Sequence, residues 1–233
     1  MTMEQITRYL WDIDNPLGYK NKMGYYKTQK EYEFILRHVT YDNLRILDVG
    51  GGSGRFALPL AARGYDLTIV DHSESALECF KTRTKGSIKF ICDDFMNCDI
   101  ENNTYDVVIA MECVLFFDER EELFKKINRA LNPGGVFIFT ELNKQSWRYL
   151  FHMMLRKEDV KYNVGSVKDY RLALIHTGFE VNDIEGFMWI PLIVSSDTVL
   201  VDIFAFLESQ FGLQKWVDQS PWLLIAAKKK SSI

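Results

Sequence analysis

One stretch of this chain limits what it can fold into more than any other: an apolar run that ends in glycines. Residues 46–49 (ILDV) are typical of a buried parallel strand, and residues 50–54 (GGGSG) follow directly. A helix-forming segment comes next, and a second apolar run, residues 67–70, stops on Asp71. Strand, glycine loop, helix, strand and acid is the layout of a nucleotide-type cofactor site. The glycines let a ligand approach bare backbone, and the acid can accept hydrogen bonds from both hydroxyls of a ribose.

The composition of the loop argues against two common nucleotide sites. A dinucleotide fingerprint has a third glycine where this chain has Arg55, and its strand is normally apolar where this chain has Asp48. No Gly-Lys-Ser/Thr follows the loop, which excludes the nucleoside-triphosphate P-loop. An acid at position 48 instead suits a ligand that carries an amino group. A nicotinamide oxidoreductase therefore stays a disfavoured alternative.

Four further features follow the loop in order: Asp71, residues 92–95 (CDDF), residues 105–111 (YDVVIAM) and residues 131–139 (LNPGGVFIF). Together with the loop they resemble the class I S-adenosylmethionine (SAM)-dependent methyltransferases, over roughly residues 44–142. The resemblance implies an α/β fold, a three-layer αβα sandwich around a seven-stranded, mostly parallel sheet whose last strand is antiparallel. It also implies transfer of the methyl group of SAM to an acceptor, with S-adenosylhomocysteine as the product.

The resemblance also implies which residues hold SAM, all of them at the carboxyl ends of strands. Asp48 would face the methionyl ammonium, Asp71 the ribose hydroxyls and Asp94 the adenine amino group. The full expected set of cofactor-binding residues is Asp48, Gly50, Gly51, Gly52, Gly54, Asp71, His72, Asp93, Asp94, Phe95, Met111 and Glu112.

Apolar runs alternate with helical patterns along the chain, which predicts a parallel sheet covered by helices on both faces. We expect a single domain over residues 1–233: a helical lid (1–40), a cofactor-binding half (41–142) and a substrate-side half (143–233) with insertions after strands five and six. Strands are predicted at residues 44–49, 66–70, 88–92, 105–111, 136–141, 179–187 and 222–227. Helices are predicted at residues 4–11, 28–39, 55–63, 74–84, 119–131, 145–155, 167–177 and 199–211.

Capping patterns support several of these helices. Thr28-x-x-Glu31 is typical of a capping box that opens the lid helix, and Asp118-x-x-Glu121 and Ser166-x-x-Asp169 have the same form. Ser73 is the expected N-cap of the helix after the second strand.

Charge and composition restrict the class of partner. The net charge of −4 gives no electrostatic basis for binding nucleic acid or an anionic membrane. No apolar run approaches the ~20 residues that a membrane span needs. The four cysteines and four histidines show no metal-ligand spacing, so no metal is expected, and the thiols are typical of a reduced, cytoplasmic protein. We expect a monomer or a homodimer.

The acceptor can be narrowed to a class. Residues 111–114 read MECV where nitrogen-methylating enzymes of one type carry Asn/Asp-Pro-Pro-Tyr, and no Pro-Cys nucleophile is present. This favours an oxygen or nitrogen atom of a small-molecule or sugar-type acceptor. A general base is needed only if that atom is a hydroxyl or a charged amine, and the candidates are His152 and then Glu112. The aromatic residues predicted to bind the acceptor are Tyr25, Tyr26, Trp147 and Trp189.

In a second interpretation the chain binds SAM through the same residues but does not catalyse methyl transfer. In that case the chain would be a SAM-binding regulatory or partner subunit, and its pocket would be too closed to admit an acceptor.

Overall fold

The computed structural model describes residues 21–84, 88–155, 163–192 and 195–231, with only the backbone for residues 152–155. Seven strands form one sheet in the order β3-β2-β1-β4-β5-β7-β6. All neighbours from β3 to β5 are parallel, and β7 runs antiparallel to both β5 and β6. The strands are β1 Arg45–Val49, β2 Asp66–Asp71, β3 Lys89–Cys92, β4 Tyr105–Met111, β5 Leu131–Leu142, β6 Phe179–Phe187 and β7 Trp222–Lys229. This architecture confirms the predicted fold class.

Helices cover both faces of the sheet. The helices are α1 Lys22–His38, α2 Ala57–Ala61, α3 Glu74–Lys81, α4 Arg120–Ala130, α5 Trp147–Leu155, α6 Val167–His176 and α7 Val199–Gln210. The predicted helix at residues 4–11 lies outside the described residues. Among those that are described, no helix is long and apolar enough to cross a bilayer.

The core has two layers because successive side chains of each strand point to opposite faces. Ile109 and Ile138 belong to the layer beneath α1, whereas Phe137 and Phe139 belong to the layer beneath α4 and α6. The rings of Phe137 and Phe139 stack with centroids 4.6 Å apart. Both faces of the central strands are therefore buried, which explains why their sequences are continuous apolar runs rather than alternating ones.

The predicted start of α1, at residue 28, was wrong. The helix begins at Lys22, where the side chain of Asn21 accepts a hydrogen bond of 2.9 Å from the Gly24 N–H. Thr28 and Glu31, predicted to form a capping box, lie inside the helix and are buried. Asn21 already satisfies a free N–H of the first turn, so the chain is helical well before Thr28. As a consequence, the inward face of α1 carries polar and charged side chains.

Three other helix starts test the capping patterns. Ser166 and Asp169 form the predicted capping box, and Ser73 accepts from the Ala76 N–H as expected. The prediction for α4 was wrong: its N-cap is Glu119, with no side-chain hydrogen bond, and not Asp118. The pattern alone cannot distinguish these cases because the cap depends on how the preceding loop enters the helix.

A predicted turn lies within β5. Leu131 pairs with Tyr105, and the ladder resumes where Val136 pairs with Val107, so residues 132–135 form an irregularity. Gly134 adopts φ +79° there, which a glycine allows at little cost. The strand thereby starts earlier than the predicted residue 136.

Candidate active site

An open cleft of about 590 Å³ lies at the carboxyl ends of β1, β2 and β4. This is the edge where ligands bind in open α/β sheets. Its wall includes seven of the predicted cofactor-binding residues: Gly50, Gly51, Gly52, Asp71, His72, Met111 and Glu112. The other lining residues are Ser53, Arg55, Ser73, Ser75, Ala76, Cys79, Cys113, Phe116 and Phe117.

Asp71 is fixed at the edge of the cleft by two backbone hydrogen bonds. Gly52 N–H donates to Oδ2 at 2.8 Å, and Ser73 N–H donates to Oδ1 at 2.8 Å. The side chain is only 9% exposed. Because each oxygen still has a free lone pair, the carboxylate is oriented to accept two further hydrogen bonds from a diol. His72 lies beside it but points into solvent, with 87% of its side chain exposed.

The glycine loop passes over a buried acid. Asp48 is 3% exposed and lies directly beneath Gly51, where an added Cβ would come within 2.8 Å of Asp48 Oδ2 and 2.6 Å of Ile69 Cγ2. Only glycine fits that position without displacing the acid. Burial, reinforced by the charge of Asp71, raises the pKa of Asp48 to about 8. Gly54 has a different role, because a Cβ there would meet the ring of Phe80 at 2.8 Å.

Five predicted cofactor residues are not part of the wall of the cleft: Asp48 and Gly54, described above, and Asp93, Asp94 and Phe95. Asp94 accepts a hydrogen bond of 2.8 Å from the Met96 N–H and so closes the turn after β3. Asp93 accepts from the Asp94 N–H at 2.8 Å. The side chain of Phe95 is buried in the core beneath α4. In this arrangement the two acids serve the turn, and a role toward a ligand stays a prediction.

A charged cluster that the sequence did not predict lies beside the cleft. It consists of Lys27 and Glu31 of α1, Arg55 of the glycine loop and Glu112 after β4. Lys27 Nζ and Arg55 Nη2 each bind one carboxylate oxygen of Glu112, and Arg55 Nη1 lies 3.4 Å from Glu31 Oε2. Arg55 and Glu112 line the cleft, whereas Lys27 and Glu31 are fully enclosed.

The backbone and the neighbours of this charged cluster are unusual. Glu112 has φ +59°, a left-handed conformation that is costly for a residue with a Cβ and tends to occur at functional sites. The Lys27 ammonium lies 3.3 Å from the centroid of the Trp222 ring. Burial lowers the pKa of Lys27 and raises that of Glu31 to about 7, the latter helped by Glu112 and opposed by Arg55 and Lys27.

One sequence pattern, the spacing of Lys27 and Glu31, could have predicted part of this charged cluster. Lys27 and Glu31 are four residues apart on a helical face that also carries the buried Phe34 and Ile35. Charged residues on an apolar face usually mark a buried pair or a site. Their partners Arg55 and Glu112 are distant in the sequence and cannot be read from local spacing.

The predicted acceptor-binding residues lie away from the cleft wall. The hydroxyl of Tyr26 donates to Glu208 Oε1 at 2.5 Å, and the backbone N–H of Trp189 donates to the other oxygen at 3.0 Å. Tyr25 and Trp147 are exposed. His152, the first candidate base, lies within α5, but its side chain is outside the described residues. Their roles toward an acceptor stay predictions.

Comparison with known proteins fits this geometry. A family model described as a methyltransferase domain matches residues 47–139, which span β1 to β5 and the cleft between them. This match identifies residues 47–139 as a methyltransferase domain. A methyltransferase domain uses a methyl donor rather than a nicotinamide, so the match favours the SAM interpretation over the nicotinamide alternative.

Relatives and solved structures are similar at low identity. The ubiquinone biosynthesis O-methyltransferase of Rickettsia typhi is 24% identical over 198 residues, covering 80% of each chain. A SAM-dependent methyltransferase from Mesorhizobium loti superimposes with a TM-score of 0.64 at 21% identity, covering 87% of this chain and all of that one. Phosphoethanolamine N-methyltransferase 2 of Haemonchus contortus, crystallised with SAM, gives 0.63 at 20% identity, with 87% and 53% covered. The two structures support the fold.

Within the described ranges, no group of three or more His, Cys, Asp or Glu side chains is arranged to hold a metal ion.

Proposed function

We propose that this methyltransferase acts on a hydroxyl oxygen of a small-molecule acceptor. The observation that carries the proposal is the alignment with the Rickettsia enzymes, whose name specifies O-methylation and which match over four fifths of both chains. The relatives therefore favour an oxygen acceptor, whereas the methyltransferase domain alone is compatible with oxygen or nitrogen. We propose for this chain only the class of acceptor, a small molecule with a hydroxyl group, and not the particular acceptor of those relatives.

The residues around the cleft fit SAM. Asp71 has the buried, oriented carboxylate that a ribose diol requires, and the three glycines leave backbone free for close approach. We assign the methionyl ammonium to Asp48, whose buried carboxyl lies beneath the same loop. When bound, SAM supplies an electrophilic methyl group on its sulfonium. Met111, Phe116 and Phe117 contribute apolar surface to the lining of the cleft, which suits a methyl transfer that proceeds best away from water.

Binding of the cofactor is tested first. Calorimetric titration of SAM and S-adenosylhomocysteine should lose roughly 10²–10⁴-fold in affinity in Asp71→Ala, because two charge-assisted hydrogen bonds of about 1.5–3 kcal/mol each are removed. Asp66→Ala, at the exposed start of the same strand, is the control and should bind normally. Equal affinity of the Asp71 variant and the wild type would overturn the assignment of the ribose site.

The acceptor class is tested by mass spectrometry. Wild-type protein and SAM are incubated separately with catechol, 3,4-dihydroxybenzoate, methyl glucoside and propylamine, which has no hydroxyl. The proposal expects S-adenosylhomocysteine together with a methylated product from one or more of the three hydroxyl compounds. Methylation of propylamine alone, or of none of the four, would contradict it.

A further inference from the structure

The helix α1 presents two polar side chains to the interior whose hydrogen bonds are not made. Thr28 is 1% exposed and Glu31 0%. Neither the Thr28 hydroxyl nor either oxygen of the Glu31 carboxyl has a hydrogen-bond partner within the described part of the chain. Buried polar groups are nearly always paired, and an unpaired one costs free energy. Two of them one helical turn apart indicate that a group is missing between α1 and the sheet.

The neighbours of Glu31 supply charge but no well-formed hydrogen bond. Arg55 Nη1 is 3.4 Å from Glu31 Oε2, an ion-pair distance, and Lys27 lies one turn earlier on the same helix. The Thr140 hydroxyl of β5 also faces the carboxyl and helps to lower its pKa, but it lies 3.5 Å from Met111 Sδ, and its single proton cannot serve both. A buried carboxylate has two oxygens to satisfy, so the missing group is a hydrogen-bond donor.

Glu31 lies on the side of the cleft away from the ribose site. Asp71 belongs to β2, whereas the carboxyl of Glu31 faces Thr140, which pairs with Met111 of β4 and Leu224 of β7. β5 is separated from β2 by β1 and β4. Adjacent strands are about 4.8 Å apart, so the two sites are separated by roughly 14 Å along the sheet. The substrate-side half of the chain contributes β7 to this region.

We infer that Glu31 binds the acceptor hydroxyl and takes its proton. This rests on the proposed function, since only a hydroxyl acceptor requires it. The acceptor O–H bond breaks and its proton forms a new O–H bond with a Glu31 oxygen. The electron pair stays on the acceptor oxygen, which becomes the nucleophile. Protonated Glu31 then returns its proton to water.

The properties of the site suit this role. Burial is the largest cause that raises the pKa of Glu31 to about 7, with Glu112 acting in the same direction and Arg55 and Lys27 against it. A base whose pKa lies near the working pH is the most effective. Glu112 is the poorer candidate because both its oxygens already bind cations.

Arg55 and Glu112 stand between Glu31 and the cleft, so an acceptor reaches Glu31 when these two side chains part. Arg55 contacts both Glu31 and Glu112, so it can stay paired with either carboxylate when the two move apart. The left-handed backbone of Glu112 is held against its conformational cost by the ion pairs with Lys27 and Arg55. Parting these side chains releases that cost, which offsets part of the free energy lost with the ion pairs.

The test compares Glu31→Gln with Glu33→Gln, a change of the same kind on the exposed face of α1. Titrations measure binding of SAM and then of catechol to the complex with S-adenosylhomocysteine. Single-turnover methylation of catechol is measured from pH 5.5 to 9. We expect Glu31→Gln to bind SAM as the wild type does and to lose roughly 10²–10⁴-fold in rate. The wild-type rate should rise through pH 7 and then level, and the variant should lack that rise.

A second variant separates chemistry from folding. Glu31→Asp keeps the carboxyl but shortens it, so it should retain part of the rate together with the rise through pH 7. Loss of SAM binding in Glu31→Gln, with a normal melting temperature, would place Glu31 in the cofactor site and overturn the inference. An unchanged rate on catechol would also overturn it. Failure of wild-type protein to methylate any hydroxyl compound would instead overturn the proposed function, and the inference with it.

Discussion

At the scale of single residues, we expect Asp48 to make cofactor binding depend on pH. Its pKa of about 8 means that the carboxyl is mostly protonated at neutral pH in the free protein. A ligand ammonium favours the ionised form, so binding should release a proton and the affinity for SAM should rise from pH 6 to 7.5. Titrations in buffers of different ionisation enthalpy measure that proton directly.

Asp48→Asn provides the corresponding control. The variant should bind SAM more weakly and without proton release, whereas Asp66→Asn should behave as the wild type. Proton uptake on binding by the wild type, or release that persists in Asp48→Asn, would rule out Asp48 as the partner of the ammonium.

The residues that could be predicted from the sequence are those fixed by local chain geometry. Asp71 and the glycines follow strands directly, so their position at the sheet edge follows from the strand itself. Lys27 and Glu112 are 85 positions apart, and only the packing of α1 on the sheet joins them. Asp94 closes the turn after β3, and its role toward a ligand stays a prediction, because the same short acid that can meet a ligand can also close a turn.

At the scale of elements, the start of α1 gives a test of the corrected cap. Asn21→Ala removes the cap and should cost about 1 kcal/mol of unfolding free energy. Thr28→Val, a change of nearly the same volume, should be neutral or stabilising, because the hydroxyl it removes is buried without a partner. Urea unfolding of both variants measures this. A decrease of about 1 kcal/mol or more in the free energy of unfolding of Thr28→Val would contradict this, because it would show that the Thr28 hydroxyl makes the stabilising hydrogen bond that a capping box requires.

The bounds of the strands could be predicted more accurately than the starts of the helices, and the reason is physical. An apolar run that is buried on both faces, as in β4, ends where the burial ends, and β4 has the predicted bounds. The edge strand β6 also has the predicted bounds, although most of its residues are half-buried or exposed. A helix can extend past a capping pattern when an earlier side chain caps it, as Asn21 does for α1. The interior of α1 could not be assigned from pattern alone because its buried face mixes Tyr32 and Phe34 with ionised side chains.

At the scale of the whole molecule, three buried acids should make stability fall as pH rises. The pKa values of Glu31, Asp48 and Glu141 are raised to about 7, 8 and 8 by burial, from ordinary values of 4.5, 3.8 and 4.5. Between pH 5 and 8 the folded protein therefore binds more protons than the unfolded chain, and the free energy of unfolding decreases with pH. Each group contributes at most about 1.4 kcal/mol per pH unit. Lys27, whose pKa is lowered, acts in the opposite direction at the alkaline end.

Glu141→Gln isolates one of these contributions. Glu141 accepts hydrogen bonds from the Leu115 N–H at 3.0 Å and the Tyr170 hydroxyl at 3.2 Å, away from the assigned ligand contacts. Urea unfolding at pH 5, 6.5 and 8 should show a smaller decrease for this variant than for the wild type, and Glu33→Gln should leave the decrease unchanged. Wild-type stability that is constant or rises over this range would contradict the prediction.

The position of β7 has a consequence for how the protein is made. Although it follows β6 in the chain, β7 lies between β5 and β6, so neither of those two strands can complete its pairing before residues 222–229 have been synthesised. A nascent chain that has reached β6 can join β1 to β5 but leaves the edge of β5 uncovered, an aggregation hazard. The Trp222 ring that covers the Lys27 ammonium arrives with the same strand. The Lys27 ammonium of the charged cluster therefore stays uncovered on that side until residues 222–229 have been synthesised.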